Sequence, residues 1–244
     1  MMRCRTLFMS LLAVMAASFH PAKAQDLFVA GRAESVYNIT TRWSVSGNVV
    51  GGHAYTVEPY SALFVSLGGS FRLSKEATLA AHGSLSYADY ANISNEDLIL
   101  RLKESIQWRR ASGFFFGFFL EQRRLIYKPS GYKLNASCLG ATAGYEREWT
   151  RPAIVANGSA TIIANSKCET PNATFIQRVK LSTAVSKRIG NMVAVGLDFT
   201  HMLGGHNQIY AADRDGMSVL AARVQVFFGR RATPVSFTSS NPQE

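Results

Sequence analysis

Beyond its first 24 residues, the sequence lacks any unbroken apolar run long enough to cross a membrane as a helix, which takes about 20 residues. It also lacks the CxxC, HExxH and GxSxG patterns and the glycine-rich phosphate loop. These absences remove the usual signatures of zinc sites, metalloproteases, serine hydrolases and nucleotide-binding enzymes. We therefore predict no catalytic residue, no metal ligand and no cofactor. A membrane protein with this sequence would have to cross the bilayer as strands.

The first 24 residues have the three regions of a secretory signal peptide. Arg3 and Arg5 open the segment, an apolar run extends from Leu7 to Phe19, and Ala22-Lys23-Ala24 gives the small-x-small pattern of a cleavage site. The alternative is a membrane anchor helix, but the apolar run is shorter than the roughly 20 residues that a span needs. The sequence therefore predicts an exported protein whose mature chain begins at Gln25.

The mature chain is basic. Cleavage removes three basic residues and no acidic one, so the formal net charge falls from +10 to +7. An excess of base often indicates nucleic acid or an anionic surface as the partner. Because an exported protein does not meet nucleic acid, we predict no nucleic-acid partner.

Cysteine is scarce. Of the three cysteines, Cys4 leaves with the signal peptide, so the mature chain keeps Cys138 and Cys168. In an oxidising compartment, an even pair favours a disulfide over a metal site or a nucleophile. We predict a candidate disulfide between Cys138 and Cys168, which requires Cα atoms within about 7 Å.

The stretch from Asp97 to Lys128 carries the clearest strand pattern. Two long arms flank a tight turn at Ala111-Ser112-Gly113. Every second residue of the arms is apolar, apart from Glu104, and these rows are Leu98, Leu100, Leu102, Ile106 and Trp108, then Phe114, Phe116, Phe118 and Leu120. The arms exceed the length of about five or six residues that is typical of soluble strands. The pattern favours a wall between lipid and water.

Similar alternation over the rest of the chain predicts an all-β fold, an antiparallel transmembrane β-barrel of about ten strands, within a range of eight to twelve. We predict a signal peptide at 1–24, a short N-terminal periplasmic segment at 25–34, the barrel at 35–230 and a polar C-terminal tail at 231–244. The first strand is expected from Val36 to Val49, followed by a loop at Gly51-Gly52-His53. Short turns alternate with longer polar loops along the chain, as they do in outer-membrane barrels. With an even strand count, both chain ends would lie in the periplasm.

The signal peptide, the alternating strands, the alternation of short and long connections and the final strand with Arg223 to Phe228 resemble those of small bacterial outer-membrane β-barrel proteins. The resemblance covers nearly all of the mature chain, and no motif singles out a subfamily. It implies the bacterial outer membrane as location, and outer-membrane lipid and the barrel-insertion machinery as partners. Such barrels commonly end in an aromatic residue, whereas 16 residues follow Phe228 here.

The expected lumen face is rich in charge. The basic residues expected there are Arg101, Lys103, Arg109, Arg123, Arg178, Lys180 and Arg223, and the acidic partners are Glu121, Glu146, Glu148 and Asp198. One interpretation is a cationic lumen that favours small anions. The other is a narrow barrel filled by side chains that form salt bridges with one another. Both signs of charge are present, so the second interpretation is favoured.

Three functions remain open at this point. The first is a non-enzymatic narrow pore, or a structural or export-associated envelope component with an export partner. The second is a surface enzyme that uses rim residues such as His201, His206, Asp89, Asp213 and Asp215, although their pattern does not match the omptin proteases. The third is an adhesin-like module that acts through Ser166 to Asn172 and Gly204 to Gly216. We predict the first function, and a secreted β-sandwich is the alternative fold.

Overall fold

The computed structural model describes residues 27–55, 59–90, 96–127, 133–149, 153–167, 176–203 and 217–229. The signal peptide and the polar tail lie outside the described residues, so both remain predictions. Among the residues that are described, there is no helix long and apolar enough to cross a membrane.

Eleven strands close into one barrel. Each strand pairs with the next one along the chain, and the first strand pairs with the last. The strands are β1 (Leu27–Asn38), β2 (Trp43–Tyr55), β3 (Tyr60–Arg72), β4 (Ala77–Tyr90), β5 (Glu96–Arg109), β6 (Phe114–Tyr127), β7 (Lys133–Trp149), β8 (Ile154–Lys167), β9 (Ile176–Ile189), β10 (Val193–Leu203) and β11 (Ser218–Gly229). The prediction of an all-β barrel with eight to twelve strands is confirmed.

The barrel closes through a parallel pair. β1 and β11 run in register from Leu27 opposite Ser218 to Asn38 opposite Gly229, whereas all the other pairs are antiparallel. The count of eleven lies within the predicted range, whereas the prediction of a wholly antiparallel sheet is wrong because β1 and β11 are parallel. An odd strand number also means that β1 begins at one end of the barrel and β11 finishes at the other. The prediction that the barrel begins and ends on the same side is therefore wrong as well.

A turn at residues 39–42 explains the extra strand. Thr40 Oγ1 accepts hydrogen bonds from the backbone N–H groups of Arg42 and Trp43 at 3.1 and 2.9 Å, a turn that needs neither glycine nor proline. Because the turn has four residues, the alternation of side chains continues across it unchanged. The expected strand from Val36 to Val49 is thus the end of β1 and the start of β2. Residues 27–34, expected to form a periplasmic segment, belong to β1.

The glycines that were expected to form a loop lie inside β2. A Cβ atom on Gly52 would stand 2.5 Å from the Phe28 ring and 2.5 Å from the Val29 carbonyl oxygen. Gly52 is therefore required for close packing of the strand against Phe28, and it does not mark a turn.

The hairpin of β5 and β6 forms around the predicted turn. Gly113 adopts a φ of +94°, which disfavours other residues, and a Cβ atom there would lie 2.1 Å from the Glu146 carbonyl oxygen. This position needs glycine for both its conformation and its close approach to β7.

The two faces of the wall differ in the manner of a membrane barrel. On β1, Val29 is 40% exposed on the outer face and Arg32 is 7% exposed on the inner face. Aromatic pairs lie toward one rim of the outer face, with ring centroids 4.6 Å apart for Trp43 and Phe71 and 5.1 Å apart for Trp108 and Phe116. An apolar exterior with interfacial aromatics suits lipid contact, and it would be costly in water.

The two ends of the barrel have different connections. Connections of three or four residues, at 39–42, 73–76, 110–113, 150–153 and 190–192, join the strands at what we call the short-turn end. Connections of four to fourteen residues, at 56–59, 91–95, 128–132, 168–175 and 204–217, join them at the long-loop end. β1 begins at the long-loop end, and β11 finishes at the short-turn end.

Candidate functional site

The inner faces of all eleven strands line a cavity of about 160 Å³. The strand period brings every second side chain to this face. Hydroxyl and amide side chains are frequent in the lining, among them Ser46, Asn48, Ser66, Thr78, Ser105, Gln107, Thr142, Asn157, Ser159, Thr161, Ser182 and Thr200. The lumen is therefore polar and can solvate an ion.

One wall of the lumen, which we call the seam wall, is formed by β10, β11 and β1. Arg32 and Arg223 lie directly opposite each other across the parallel pair. The Asp198 carboxylate forms ion pairs with both, 3.6 Å from an Arg32 nitrogen and 3.3 Å from an Arg223 nitrogen, and Glu34 lies 3.6 Å from Arg32. Two acidic groups thus balance two basic groups, and the repulsion between the paired arginines is offset.

The opposite wall, which we call the cationic wall, is formed by β5, β6 and β7. Its two buried acidic groups are each bound to an arginine, Glu121 to Arg123 and Glu146 to Arg109. Arg101 and Lys103 add two further basic groups on β5, where Arg101 is 6% exposed and Lys103 lines the cavity. Among the buried or cavity-lining side chains described on this wall, the basic ones outnumber the acidic ones.

A lysine, an aromatic ring and a glycine are stacked on the cationic wall. The Lys103 ammonium lies 4.0 Å from the centroid of the Phe119 ring, a cation–π contact. Gly140 is directly opposite Phe119, and a Cβ atom there would stand 2.0 Å from the ring. The same arrangement recurs at Gly144, where a Cβ atom would stand 2.4 Å from the Phe115 ring. The glycines of β7 therefore give these rings room against the wall.

Lys180 on β9 lies between the two walls. It is 4% exposed and lines the same cavity as Lys103. Hydroxyl pairs flank it, with 2.9 Å between the Thr142 and Thr161 oxygens and 3.2 Å between the Ser182 and Thr200 oxygens. A second cation thus faces the cavity among groups that can donate hydrogen bonds.

The lumen also holds an apolar cluster near the long-loop end. It consists of Phe28, Ala30, Val50, Ala54, Tyr60, Ala62, Phe64, Met217, Val219 and Ala221. The Phe28 ring lies 6.0 Å from that of Tyr60, and the Tyr60 hydroxyl lies 3.8 Å from the Met217 sulfur. Both Phe28 and Tyr60 are fully buried. The sequence pattern does not reveal this cluster, because Phe28 lies in a segment that was expected outside the barrel.

The structure places most of the charged residues that the sequence singled out on the lumen face. These are Arg101, Lys103, Arg109, Arg123, Lys180, Arg223, Glu121, Glu146 and Asp198. Glu148 is different, because its side chain is 52% exposed and lies 3.8 Å from Arg188. The side chain of Arg178 lies outside the described part of the chain. Arg32 and Glu34 were missed, although the alternation of β1 beginning at Leu27 could have revealed them.

The predicted disulfide stays a prediction. Cys138 is buried against Phe119 and Ile163, and its register partner on β8 is Asn165. Cys168 lies outside the described residues.

The rim residues of the enzyme alternative are mostly beyond the described chain. His201 is buried, and its Nδ1 atom lies 3.0 Å from the Ser218 hydroxyl oxygen. His206, Asp213, Asp215 and the side chain of Asp89 are not described. Within the described ranges, no group of three or more His, Cys, Asp or Glu residues could hold a metal ion.

Comparison with known proteins gives a likeness of fold. A scan against protein-family models finds no match, and a search of curated proteins finds none. Among solved structures, the translocator domain of the autotransporter NalP from Neisseria meningitidis is similar with a TM-score of 0.52 and 8% sequence identity, covering 82% of this chain and 90% of that one. The NanC porin has a TM-score of 0.42 and 12% identity, covering 80% of this chain and 94% of that one.

The chain thus has the fold of an outer-membrane β-barrel, and its resemblance to small bacterial outer-membrane barrels is confirmed.

Proposed function

We propose that the mature chain is a non-enzymatic barrel of the bacterial outer membrane that acts as a narrow passage for small anions. The apolar outer face and the interfacial aromatics support a membrane location. The polar, hydroxyl-rich cavity supports passage of a solvated ion.

The observation that carries this proposal is the charge imbalance of the lumen. Among the side chains that the structure describes, the basic ones on its walls are Arg32, Arg101, Lys103, Arg109, Arg123, Lys180 and Arg223, and the acidic ones are Glu34, Glu121, Glu146 and Asp198. An excess of one sign of charge between low-dielectric walls concentrates counterions. The lumen would therefore draw anions in and repel cations.

The strand number limits the size of the solute. Barrels of about 8 strands are filled by side chains, whereas porins of about 16 to 18 strands leave a wide aqueous channel. A barrel of eleven strands with a cavity of about 160 Å³ lies near the narrow end of this range. We infer that only small ions would pass.

The test is to fold the mature chain from urea into detergent and to insert it into planar bilayers. A β-rich band whose gel mobility changes on boiling would establish a membrane barrel. We expect a small conductance that selects anions in a salt gradient. Cation selectivity would overturn the proposed function.

We also propose an orientation. Short turns face the periplasm in outer-membrane barrels, so the start of β1 would lie at the cell surface and the end of β11 in the periplasm. An epitope tag at the C-terminus should then react with antibody only after cells are permeabilised. Labelling of intact cells would contradict this orientation.

A structural or export-associated role is the second candidate. The apolar cluster of Phe28, Tyr60 and Met217 supports it, because this cluster occupies part of the lumen near the long-loop end. A hydrophobic constriction can prevent ions from passing. A barrel that is correctly folded but electrically silent would favour this role over the pore.

A further inference from the structure

We propose that the outer face of β6 and β7 near the long-loop end binds the phosphate headgroup of a membrane lipid, with Arg124 as the cation and Gln122 as a neighbouring hydrogen-bond donor. The inference rests on the proposed function only for the location of the barrel in a membrane. It goes beyond that function, because the lumen takes no part in it.

Four polar side chains form one patch on this outer face. In the register, Arg124 is directly opposite Asn135, and Gln122 is directly opposite Ser137. Directly opposed side chains have Cβ atoms about 5 Å apart, and residues two positions apart on one strand lie about 7 Å apart on the same face. Arg124, Gln122 and Asn135 are exposed, whereas Arg123 between the first two is buried in the lumen. The patch therefore points away from the lumen.

The outer face at this level is mostly apolar on the other strands. The four residues of the patch lie two to five positions from the long-loop ends of β6 and β7. Outward residues at the same spacing on other strands, each between 40% and 48% exposed, include Leu63, Val65, Leu85, Leu100, Ile162 and Leu220. His53 and His201 also lie at this level, and each is close to a serine hydroxyl oxygen, at 3.1 and 3.0 Å. The patch is thus a local break in the apolar exterior.

Arg124 lies at the far edge of the apolar band. Phe116, which stacks on Trp108 near the short-turn end, is eight residues from Arg124 along β6. At about 3.3 Å per residue and a strand tilt of about 40°, this distance corresponds to about 20 Å of height, whereas the apolar band of such barrels is about 25 Å tall. The long arginine side chain can extend over the remaining distance to the lipid headgroups.

The surroundings of the patch suit a lipid better than a free anion. A guanidinium binds phosphate through paired N–H groups, and the Gln122 amide can donate a further hydrogen bond. On β5, Leu100 is directly opposite Arg124 and is 43% exposed, and Leu102 is 47% exposed beside Gln122. Leu139 on β7 is 49% exposed. A phosphate joined to acyl chains would contact both the polar patch and these leucines.

An acidic residue lies on the same face but outside the patch. Glu104 is exposed on β5, directly opposite Leu120. Leu120 is four residues from Arg124 along β6, which is about 13 Å of strand. A phosphate bound at Arg124 would therefore not contact the Glu104 carboxylate.

The direct test is native mass spectrometry of the folded mature chain in a non-ionic detergent, titrated with phosphatidic acid. Arg124→Gln should weaken binding about tenfold, since hydrogen bonds to charged groups account for changes of this size. Gln122→Leu should weaken it less. Arg147→Gln is the matched control, because Arg147 is an exposed arginine on the outer face of β7 near the short-turn end, 5.4 Å from the Trp149 ring. Equal losses in the two arginine variants would reduce the effect to surface charge and overturn the site.

The same measurement distinguishes other occupants of the patch. Inorganic phosphate that bound as tightly as phosphatidic acid would show that the acyl chains contribute nothing, and it would overturn the lipid assignment. A dimer of the chain that Arg124→Gln abolishes would assign the patch to a second copy instead. Wild type that does not retain phosphatidic acid would also overturn the proposal. Arg124→Lys keeps the charge and should lose less binding than Arg124→Gln.

The lipid site and the pore can fail separately. A barrel that binds phosphatidic acid through Arg124 but carries no current would support the lipid site and overturn the pore. An anion-selective current from a barrel whose lipid binding ignores Arg124 would support the pore and overturn the lipid site.

Discussion

The seam wall and the cationic wall stand on opposite sides of one lumen, and they use charge differently. On the seam wall, Arg32, Arg223, Glu34 and Asp198 balance one another across the strands that close the barrel. On the cationic wall, the buried acids Glu121 and Glu146 are each bound to an arginine. Lys103 stands over an aromatic ring that faces the cavity. We propose that the balanced charges join strands, whereas the excess of charge acts on a solute.

The difference has a physical reason in the topology. Within the described barrel, β1 and β11 are the only paired strands that do not follow each other along the chain. Their parallel register places Arg32 directly opposite Arg223. Like charges at that position would weaken the closure unless an acid lay between them. Asp198 on β10 provides that acid, so we infer that the seam wall mainly stabilises the barrel. On the cationic wall Arg101 is likewise directly opposite Arg123, but these two residues lie within the β5–β6 hairpin, whose strands are joined by a turn.

The largest expected effect is on the seam wall. Asp198→Asn removes the carboxylate that two arginines share, so we expect the free energy of unfolding to fall by about 3 kcal/mol. Urea titration of the barrel in lipid vesicles, followed by tryptophan fluorescence, measures this change. The control is Glu148→Gln, whose exposed ion pair should contribute less than about 1 kcal/mol. Equal losses in the two variants would refute the special role of the seam.

A smaller effect is expected from the outer face of the cationic wall. Glu104 is exposed on the outer face in the middle of β5, opposite Leu120 on β6 and Ala81 on β4. Glu104→Leu should stabilise the barrel in lipid by about 1 kcal/mol, because charge on the lipid face is unfavourable. The same urea titration in vesicles and in detergent would show whether the gain depends on the bilayer. A loss of stability in vesicles would indicate that Glu104 meets a polar partner there.

The smallest effect on stability is expected inside the cationic wall. Replacing Lys103 and Lys180 by Gln removes a cation–π contact but also reduces repulsion among like charges, so the free energy of unfolding should change by less than about 1 kcal/mol. The double variant should instead lose selectivity for anions. If the double variant lost as much free energy of unfolding as Asp198→Asn, the proposed difference between the two walls would be refuted.

Much of this fold could be predicted from the side-chain period. The two arms around Ala111-Ser112-Gly113 are β5 and β6, because apolar and polar residues alternate there for many residues. The sequence could not show where β1 ends and β2 begins, because the four-residue turn after Asn38 leaves the alternation of inward and outward side chains unchanged. That one omission changed the strand count, the closure and the position of the chain ends.

Only part of the candidate site could be predicted from the sequence. Alternation places Lys103, Lys180 and Asp198 on the inner face, but it does not say which charges meet across the lumen. The pairing of Asp198 with Arg32 depends on the closure between β1 and β11, which is a contact between distant ends of the chain. The role of Gly140 depends on the Phe119 ring opposite it, and a glycine in a strand has several explanations.

The most direct test of the account is the zero-current potential of the reconstituted barrel across a bilayer with a tenfold KCl gradient. Wild type should show the sign of an anion-selective passage, and the variant with Gln at both Lys103 and Lys180 should move toward zero while it stays folded. A cation-selective wild type, or a double variant with an unchanged potential, would contradict the account.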